Sequence, residues 1–204
     1  MKYQYYRGQK SYNGVAIVSR FEFKDSGHVN WCKKNDTRHI YIKIHNFYVP
    51  AGGDEPDIEL NEKFNHKINF IKEMTQYFNK INLKKTVLVG DLNIAPYEND
   101  VWSHKQLLNV VSHTPIETQL LSKLIDASNW VDVGRKFVSK NEKLYSWWSY
   151  RNRDWKKSNR GRRLDHIWVS KDLDTSLKSF LSCKEIRDWE KPSDHVPLIL
   201  ELSI

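Results

Sequence analysis

Four short stretches carry residue types able to act on an ester of phosphoric acid. In Val89-Gly90-Asp91-Leu92-Asn93 an acid and an amide stand two residues apart, directly after an apolar run. Two residues apart in extended chain, their side chains share a side, and groups on a loop held by a strand end are well placed for catalysis. Such a pair could activate a water and hold a phosphate oxygen or a metal ion. It could equally be a plain turn, since Asp and Asn are common there. Ser193-Asp194-His195 sets a carboxylate beside an imidazole; a charged ring can bind a phosphate oxygen, although Asp-His in a loop is commonly a polar turn. In Arg162-Arg163-Leu164-Asp165-His166 an acid opens a strand after two arginines, a pattern that usually means a surface ion pair. Asn46-Phe47-Tyr48-Val49-Pro50 ends a strand on a tyrosine, either a core ring with a wet hydroxyl or a phenol donating to a phosphate oxygen.

A fifth stretch speaks of binding. Between Trp147 and Arg163 seven basic residues face one acid, Asp154, and aromatic rings are interleaved with the cations. That composition suits a loop tracking phosphates while rings pack on sugars or bases. The alternative is a solvated charged loop over two core tryptophans.

These residues need a scaffold, and its elements are legible. Val15–Val18, Tyr41–Val49 and Thr86–Val89 read as strands, with Pro50 and Gly90 as stops. Phe64, Ile68, Ile71, Thr75 and Phe78 recur at three- and four-residue steps, predicting a helix over Asn61–Asn79. Thr114-Pro115-Ile116-Glu117 has the form of a capping box with proline at the first helical position, ahead of core-facing Leu120, Leu121, Leu124 and Ile125. Leu144–Tyr150, His166–Ser170 and Pro197–Leu202 return to strand. Strands at both ends of a helical middle predict an α/β or α+β domain with stacked sheets.

Bulk properties agree. At 204 residues, with 39% hydrophobic and 28% charged, one globular domain over 1–204 is expected. The net charge of +8 favours polyanionic partners. Cys32 and Cys183 lack metal-ligand spacing and read as free thiols of a reducing compartment. Met1 to Arg7 holds no apolar run and no stretch reaches the roughly 18 residues of a membrane span, so the expected address is the cytoplasm, with no membrane partner.

Taken in order, Tyr12-Asn13-Gly14-Val15-Ala16, Asn46-Phe47-Tyr48-Val49-Pro50, Gly90-Asp91-Leu92-Asn93, Tyr145-Ser146-Trp147-Trp148, Arg163-Leu164-Asp165-His166 and Ser193-Asp194-His195 resemble the exonuclease III and abasic-site endonuclease family of the endonuclease/exonuclease/phosphatase superfamily. The match runs from about residue 3 to the C-terminus. The resemblance implies a four-layer α-β-β-α sandwich, two stacked sheets flanked by helices. It implies a DNA-repair hydrolase that cuts at abasic sites and trims 3′ ends of double-stranded DNA, using Mg²⁺ or Mn²⁺. It also implies roles. Asp91 activates the attacking water, Asn93 positions it, Tyr48 binds the scissile phosphate, Asp165 fixes Asp91 or its partner, and Asp194 works with His195 on the phosphate. Asp91, Asn93, Asp194 and His195 form the metal set. Arg151, Lys156, Lys157 and Arg160 grip the backbone, Trp147 and Leu164 line the pocket for a sugar without a base, and Tyr12 and Asn13 form a further DNA-contacting loop.

The family also has an earlier strand ending in a Trp-Asn motif and another ending in Gln-Glu, whose Glu binds the metal. Here Met1 falls after both and no Gln-Glu pair occurs. The expectation is a domain incomplete at its N-terminus, with low activity in isolation. A misplaced start, a split gene whose separate N-terminal fragment is a partner, and a decaying remnant remain open. The rival functions are a non-catalytic DNA-binding remnant and a phospholipid or sugar-phosphate hydrolase.

Overall fold

The computed structural model describes Met1–Asn152 and Asp154–Ser203; Arg153, one of the seven cations in the basic stretch, lies outside the described residues. In chain order the elements are β1 (Tyr3–Gly8), β2 (Gly14–Ser19), β3 (His39–Tyr41), β4 (Ile44–Tyr48), α1 (Glu62–Lys80), β5 (Val87–Asp91), α2 (His104–Leu107), α3 (Pro115–Ala127), β6 (Val131–Asp132), α4 (Val133–Phe137), β7 (Trp147–Trp148), α5 (Trp155–Ser158), β8 (Gly161–Arg162), β9 (Asp165–Val169), β10 (Leu177–Ser182) and β11 (Leu198–Leu202).

The central sheet has the order β3-β4-β5-β9-β6. β4 and β5 run parallel, and α1 makes the crossover between them; β5 and β9 run antiparallel. One face of this sheet packs on α1 and α3 through Phe47, Leu88 and Trp168 against Phe70, Met74, Phe78, Leu121 and Leu124. The other face carries Val87, Val89, Ile167 and Val169, which meet Phe180, Leu198 and Leu200 of the β10–β11 hairpin. Sheet stacks on sheet, with helices on the far side of the first, which is the α/β sandwich expected. The β1–β2 hairpin lies beside β4, with the Asn46 amide donating to the Ala16 carbonyl at 2.9 Å.

Local sequence explains the helices. Asn61 caps α1 by accepting from the amides of Lys63 and Phe64, and Thr114 and Glu117 form the capping box foreseen for α3. Two expectations change in detail. Tyr41–Val49 is not one strand: Lys43, at φ 78°, turns the chain, and β3 pairs back on β4. Leu144–Tyr150 is strand only at Trp147–Trp148. No helix among the described residues is long and apolar enough to cross a membrane.

The β3–β4 hairpin buries two imidazoles. The Val29 amide donates to His39 Nδ1 at 3.1 Å, so that nitrogen is bare and Nε2–H faces His45 Nδ1 at 3.0 Å. Both rings must therefore be neutral. Burial pushes His39 down to about 2, with His45 adding to the effect, and burial pushes His45 to about 4. In the unfolded chain both would titrate near 6.5. Below that pH the unfolded state takes up protons the folded state refuses, so stability falls as pH drops from 6.5 to about 4. The loss should amount to a few kcal/mol by pH 4. Replacing His45 by Gln removes one of these titrations, so its urea midpoint should fall less steeply with acid than the parent's. Equal acid slopes in the two proteins would refute the assignment.

Candidate active site

The register of three neighbouring strands builds the site. Tyr48, last in β4, sits opposite Asp91, last in β5, and Asp91 sits opposite Asp165, first in β9. Residues far apart in sequence thus form one row at one edge of the sheet. Gly90 makes the row possible. It adopts φ +131°, and a Cβ there would lie 2.0 Å from the Phe47 carbonyl oxygen, so only glycine permits this approach of β5 to β4.

Beyond the row the chain turns at Asn93, which adopts the left-handed φ of 53°. Its amide NH donates to Asp91 Oδ1 at 2.9 Å, and its side-chain Nδ2 donates to Asp91 Oδ2 at 3.0 Å and to the Val49 carbonyl at 2.9 Å. The Asp–Asn pair is therefore one unit, and Asn93 Oδ1 takes no part in these three bonds. Across the row, Asp165 Oδ2 accepts from the Ser146 hydroxyl at 2.7 Å and faces His195 Nδ1 at 2.8 Å. Asp194 is bound elsewhere, to the indole NH of Trp147 at 2.9 Å. His195 thus takes Asp165, and not its sequence neighbour, as its hydrogen-bond partner.

Electrostatics follow from this crowding. Burial raises the Asp91 carboxyl, and facing Asp165 raises it further, to about 7, against the opposing pull of His195. Burial would lower His195, but the hydrogen bond and charge of Asp165 win and raise it to about 9. The ring is therefore an imidazolium at neutral pH. Burial and the Asp91 charge raise Tyr48, so its phenol keeps its proton and can donate. The row opens on a cleft of about 410 Å³ lined by Tyr48, Asp91, Asp165, Ser193 and His195 together with Gly14 to Ala16.

The sequence matches the model of the "Endonuclease/Exonuclease/phosphatase family" over residues 1–195. The chain belongs to this family. It is 29% identical over 216 residues to the exodeoxyribonuclease III of Haemophilus influenzae, covering 97% of this chain and 79% of that one. Among solved structures it resembles a 3′ phosphatase from Neisseria bound to a product DNA hairpin, at 28% identity and TM-score 0.88, over 99% of this chain and 79% of that one. It also resembles an AP endonuclease from Archaeoglobus fulgidus, at 29% identity and TM-score 0.90, over 98% and 79%.

Within this family fold the residues singled out for binding fall into two sets. Arg151, Lys156, Lys157 and Arg160 are exposed; Lys156 pairs with Asp188 at 2.7 Å, and Arg160 lies over the Trp102 ring at 4.7 Å. Tyr12 is exposed, its hydroxyl 3.3 Å from an Arg38 nitrogen. The others turn inward. Asn13 is buried, accepting from the Thr37 hydroxyl at 2.9 Å, and Leu164 is buried with its amide donating to Ser146 Oγ at 3.0 Å. Trp147 is half-buried beneath Arg162. The two arginines before Asp165 are not a surface pair. Arg163 is buried against Asp100 and Asp132, at 2.9 and 2.8 Å, and Arg162 reaches the Val111 carbonyl and the Ser112 hydroxyl.

Sequence reasoning missed Ser146 as a member of the site. Fully buried, its oxygen accepts from the amides of Leu164 and Asp165 while its hydroxyl donates to Asp165. A serine between aromatics signals nothing by itself. Ser146→Ala leaves two inward amides and one carboxylate oxygen short of a partner, which should cost about 2 kcal/mol. Urea unfolding measures it, and a loss under about 0.5 kcal/mol, the scatter of ordinary surface changes, would contradict this role.

Proposed function

We propose that this chain hydrolyses phosphodiester bonds of double-stranded DNA in base-excision repair, incising at abasic sites and trimming 3′ ends. The observation that carries this reading is the row Tyr48–Asp91–Asp165 with His195 hydrogen-bonded to its end. It offers, around one phosphate-sized cleft, a carboxylate poised near neutrality, two donors for phosphate oxygens and an amide that orients the base. The relatives support DNA as the partner; they lend no support to a separate N-terminal fragment.

The chemistry is assigned residue by residue. Asp91, raised to about 7, takes the proton of the attacking water. Asn93 donates to both Asp91 oxygens and so aims that base at the water. The Tyr48 phenol and the His195 imidazolium donate to the non-bridging oxygens, where charge builds as the nucleophile enters. Asp165 keeps His195 charged and aimed; Ser146 keeps Asp165 in place.

The family is divalent-metal dependent, and the donors here suit a hard cation. Asp91, Asp165 and Asp194 set three carboxylates beside the one imidazole of His195, and the Asp91 carboxyl, raised by burial and then by the facing Asp165, would be relieved by a cation. Asp91, Asn93 Oδ1 and Asp194 would hold Mg²⁺ or Mn²⁺, with phosphate oxygens and water completing the shell, since among the described residues no three His, Cys, Asp or Glu side chains close on one point. His195, protonated, is better suited to phosphate than to metal. Bound there, the cation would stabilise the charge on the leaving oxygen.

The exposed cations Arg151, Lys157 and Arg160 would track the backbone, with Lys156 joining as its surface pair with Asp188 exchanges for phosphate. Exposed Tyr12, on the loop before the cleft-lining Gly14, would extend the same surface, with buried Asn13 holding that loop through Thr37; Trp147 and the buried Leu164 would back the wall next to Asp165.

A duplex carrying one abasic site, incubated with the protein and Mg²⁺, should be nicked, and excess chelator should stop the reaction. Asp91→Asn should lower kcat by roughly 10²- to 10⁴-fold without loss of binding. Salt-sensitive binding with no product under Mg²⁺ or Mn²⁺ would instead identify a DNA-binding protein without catalysis. In a separate measurement, Arg160→Ala should reduce the slope of log affinity against log salt by about one. An unchanged slope would remove Arg160 from the DNA interface.

A further inference from the structure

One buried cation lies behind the row and is not used by the chemistry above. Lys67 sits on the inner face of α1, where the apolar stripe predicts a hydrocarbon, and it is 0% exposed. Its stem passes beneath Gly52, whose φ of +92° and lack of Cβ leave room: a Cβ would lie 2.9 Å from Lys67 Cδ. Its ammonium has three partners, matching its three protons. They are the carbonyl of Ala51 at 3.2 Å, the carbonyl of Asn93 at 2.8 Å and Glu117 Oε1 at 2.5 Å.

The partners decide what this lysine does. Ala51 is three residues past Tyr48, on the loop that leaves β4; Asn93 is two past Asp91, on the loop that leaves β5. Glu117 is itself fixed from the far side. It accepts from the amides of Ser112 at 2.9 Å and Thr114 at 3.1 Å and from the Thr114 hydroxyl at 2.7 Å, so α3's capping box is also the anchor for the ammonium. A chain of contacts therefore runs from the α3 N-terminus through Lys67 to both loops of the active edge. Stability alone does not explain the pair, because burying two charges costs about as much as their attraction returns, and apolar residues of equal volume often serve as well. Lys67 does not line the cleft.

We propose that Lys67 is a positioning residue for hydrolysis: its ammonium ties the Ala51 and Asn93 carbonyls together and so sets the spacing between Tyr48 and the Asp91–Asn93 unit. This rests on the hydrolase reading of the same site. The tie acts on the spacing of reacting groups, so its loss lowers kcat and leaves DNA affinity alone. Misplacement by about 1 Å is enough to cost on the order of 10²-fold.

The test compares the parent with Lys67→Met/Glu117→Gln and with Lys67→Arg, using the whole chain. The double variant removes both charges and keeps volume. Its new carboxamide in place of the Glu117 carboxylate retains an oxygen for the Ser112 and Thr114 amides, so no lone buried charge remains. Two quantities are read: hydrogen exchange of the Val49 and Asn93 amides, and kcat and KM on the abasic duplex with Mg²⁺. The double variant should exchange at both amides about ten-fold faster or more, with the β5 core amides protected as before. Its kcat should fall at least ten-fold with KM within about twofold. Lys67→Arg, which keeps the charge and several donors, should recover part of the kcat. Parent-like exchange in the double variant overturns the tie whatever the activity, and so does a rise in KM with kcat unchanged. If exchange quickens as expected but the parent itself cuts no DNA, the hydrolase reading fails while the tie between the loops stands.

Discussion

Everything at the site depends on the close approach of β5 to β4 at Gly90. Any side chain at this position would run into the Phe47 carbonyl, so the two backbones meet here at a distance that no other residue allows. That contact fixes which residue of β4 stands opposite Asp91. A slip of one residue would turn every side chain of the strand to the other face. Tyr48 would then point into the helix-covered core and Phe47 into the cleft. The apolar pattern resists the slip as well, because Phe47 and Leu88 fill one face and Val87 and Val89 the other. Packing of the core and alignment of the row are thus the same fact seen from two sides.

The row concentrates negative charge where the fold supplies little to offset it. Asp91 and Asp165 stand opposite each other, His195 answers Asp165, and the next cation, Lys67, is held by Glu117 and two carbonyls. Contrast the neighbouring cluster of Asp100, Asp132, Arg135 and Arg163, also buried, where two guanidiniums answer two carboxylates. There the ordinary ionisation is reinforced: Arg163 is pushed further up by its acids and Asp132 is held below the usual carboxylate range by Arg163 and its other partners, despite burial. One cluster is balanced and structural. In the other, burial and a facing acid raise the Asp91 carboxyl to about 7, the condition for a general base.

How much of this was written in the sequence depends on the range of the interaction. Asp91, Tyr48 and Asp165 were legible because each ends or opens a strand whose own residues announce it, Asn93 because it follows such a strand end by two residues, and the capping box of α3 because it is complete within four residues. Strands β1 and β10 were not read: Tyr3–Gly8 and Leu177–Ser182 mix polar and apolar residues on a half-exposed hairpin and lack a clean alternation. Lys67 and Glu117 were hidden for a different reason. One looks like a surface charge intruding on an apolar stripe and the other like a cap, and only tertiary structure joins them at 2.5 Å. His39 and His45 are likewise ordinary alternating residues until the turn at Lys43 stacks their rings.

The basic stretch shows how composition misleads about position. Seven cations between Trp147 and Arg163 read as one binding surface, yet Arg162 and Arg163 turn inward and hold the β7–β8 strands against the loop at Ser112 and the Asp100 cluster. The Arg163 charge is answered inside the protein by Asp100 and Asp132, and Arg162 is directed to a carbonyl, a hydroxyl and the Trp147 ring. Among the described residues, what remains outside is a narrower set, Arg151, Lys156, Lys157 and Arg160, carried on a short helix and its flanks. The division has a physical logic. A guanidinium makes several directed bonds and tolerates burial, so arginines next to the catalytic strand build its frame. The other described cations of the stretch are exposed, on α5 and its flanks, where a pair such as Lys156 with Asp188 is worth little and breaks readily. The same local sequence therefore supplies both a rigid, buried frame beside Asp165 and an exposed rim of cations free to exchange their partners.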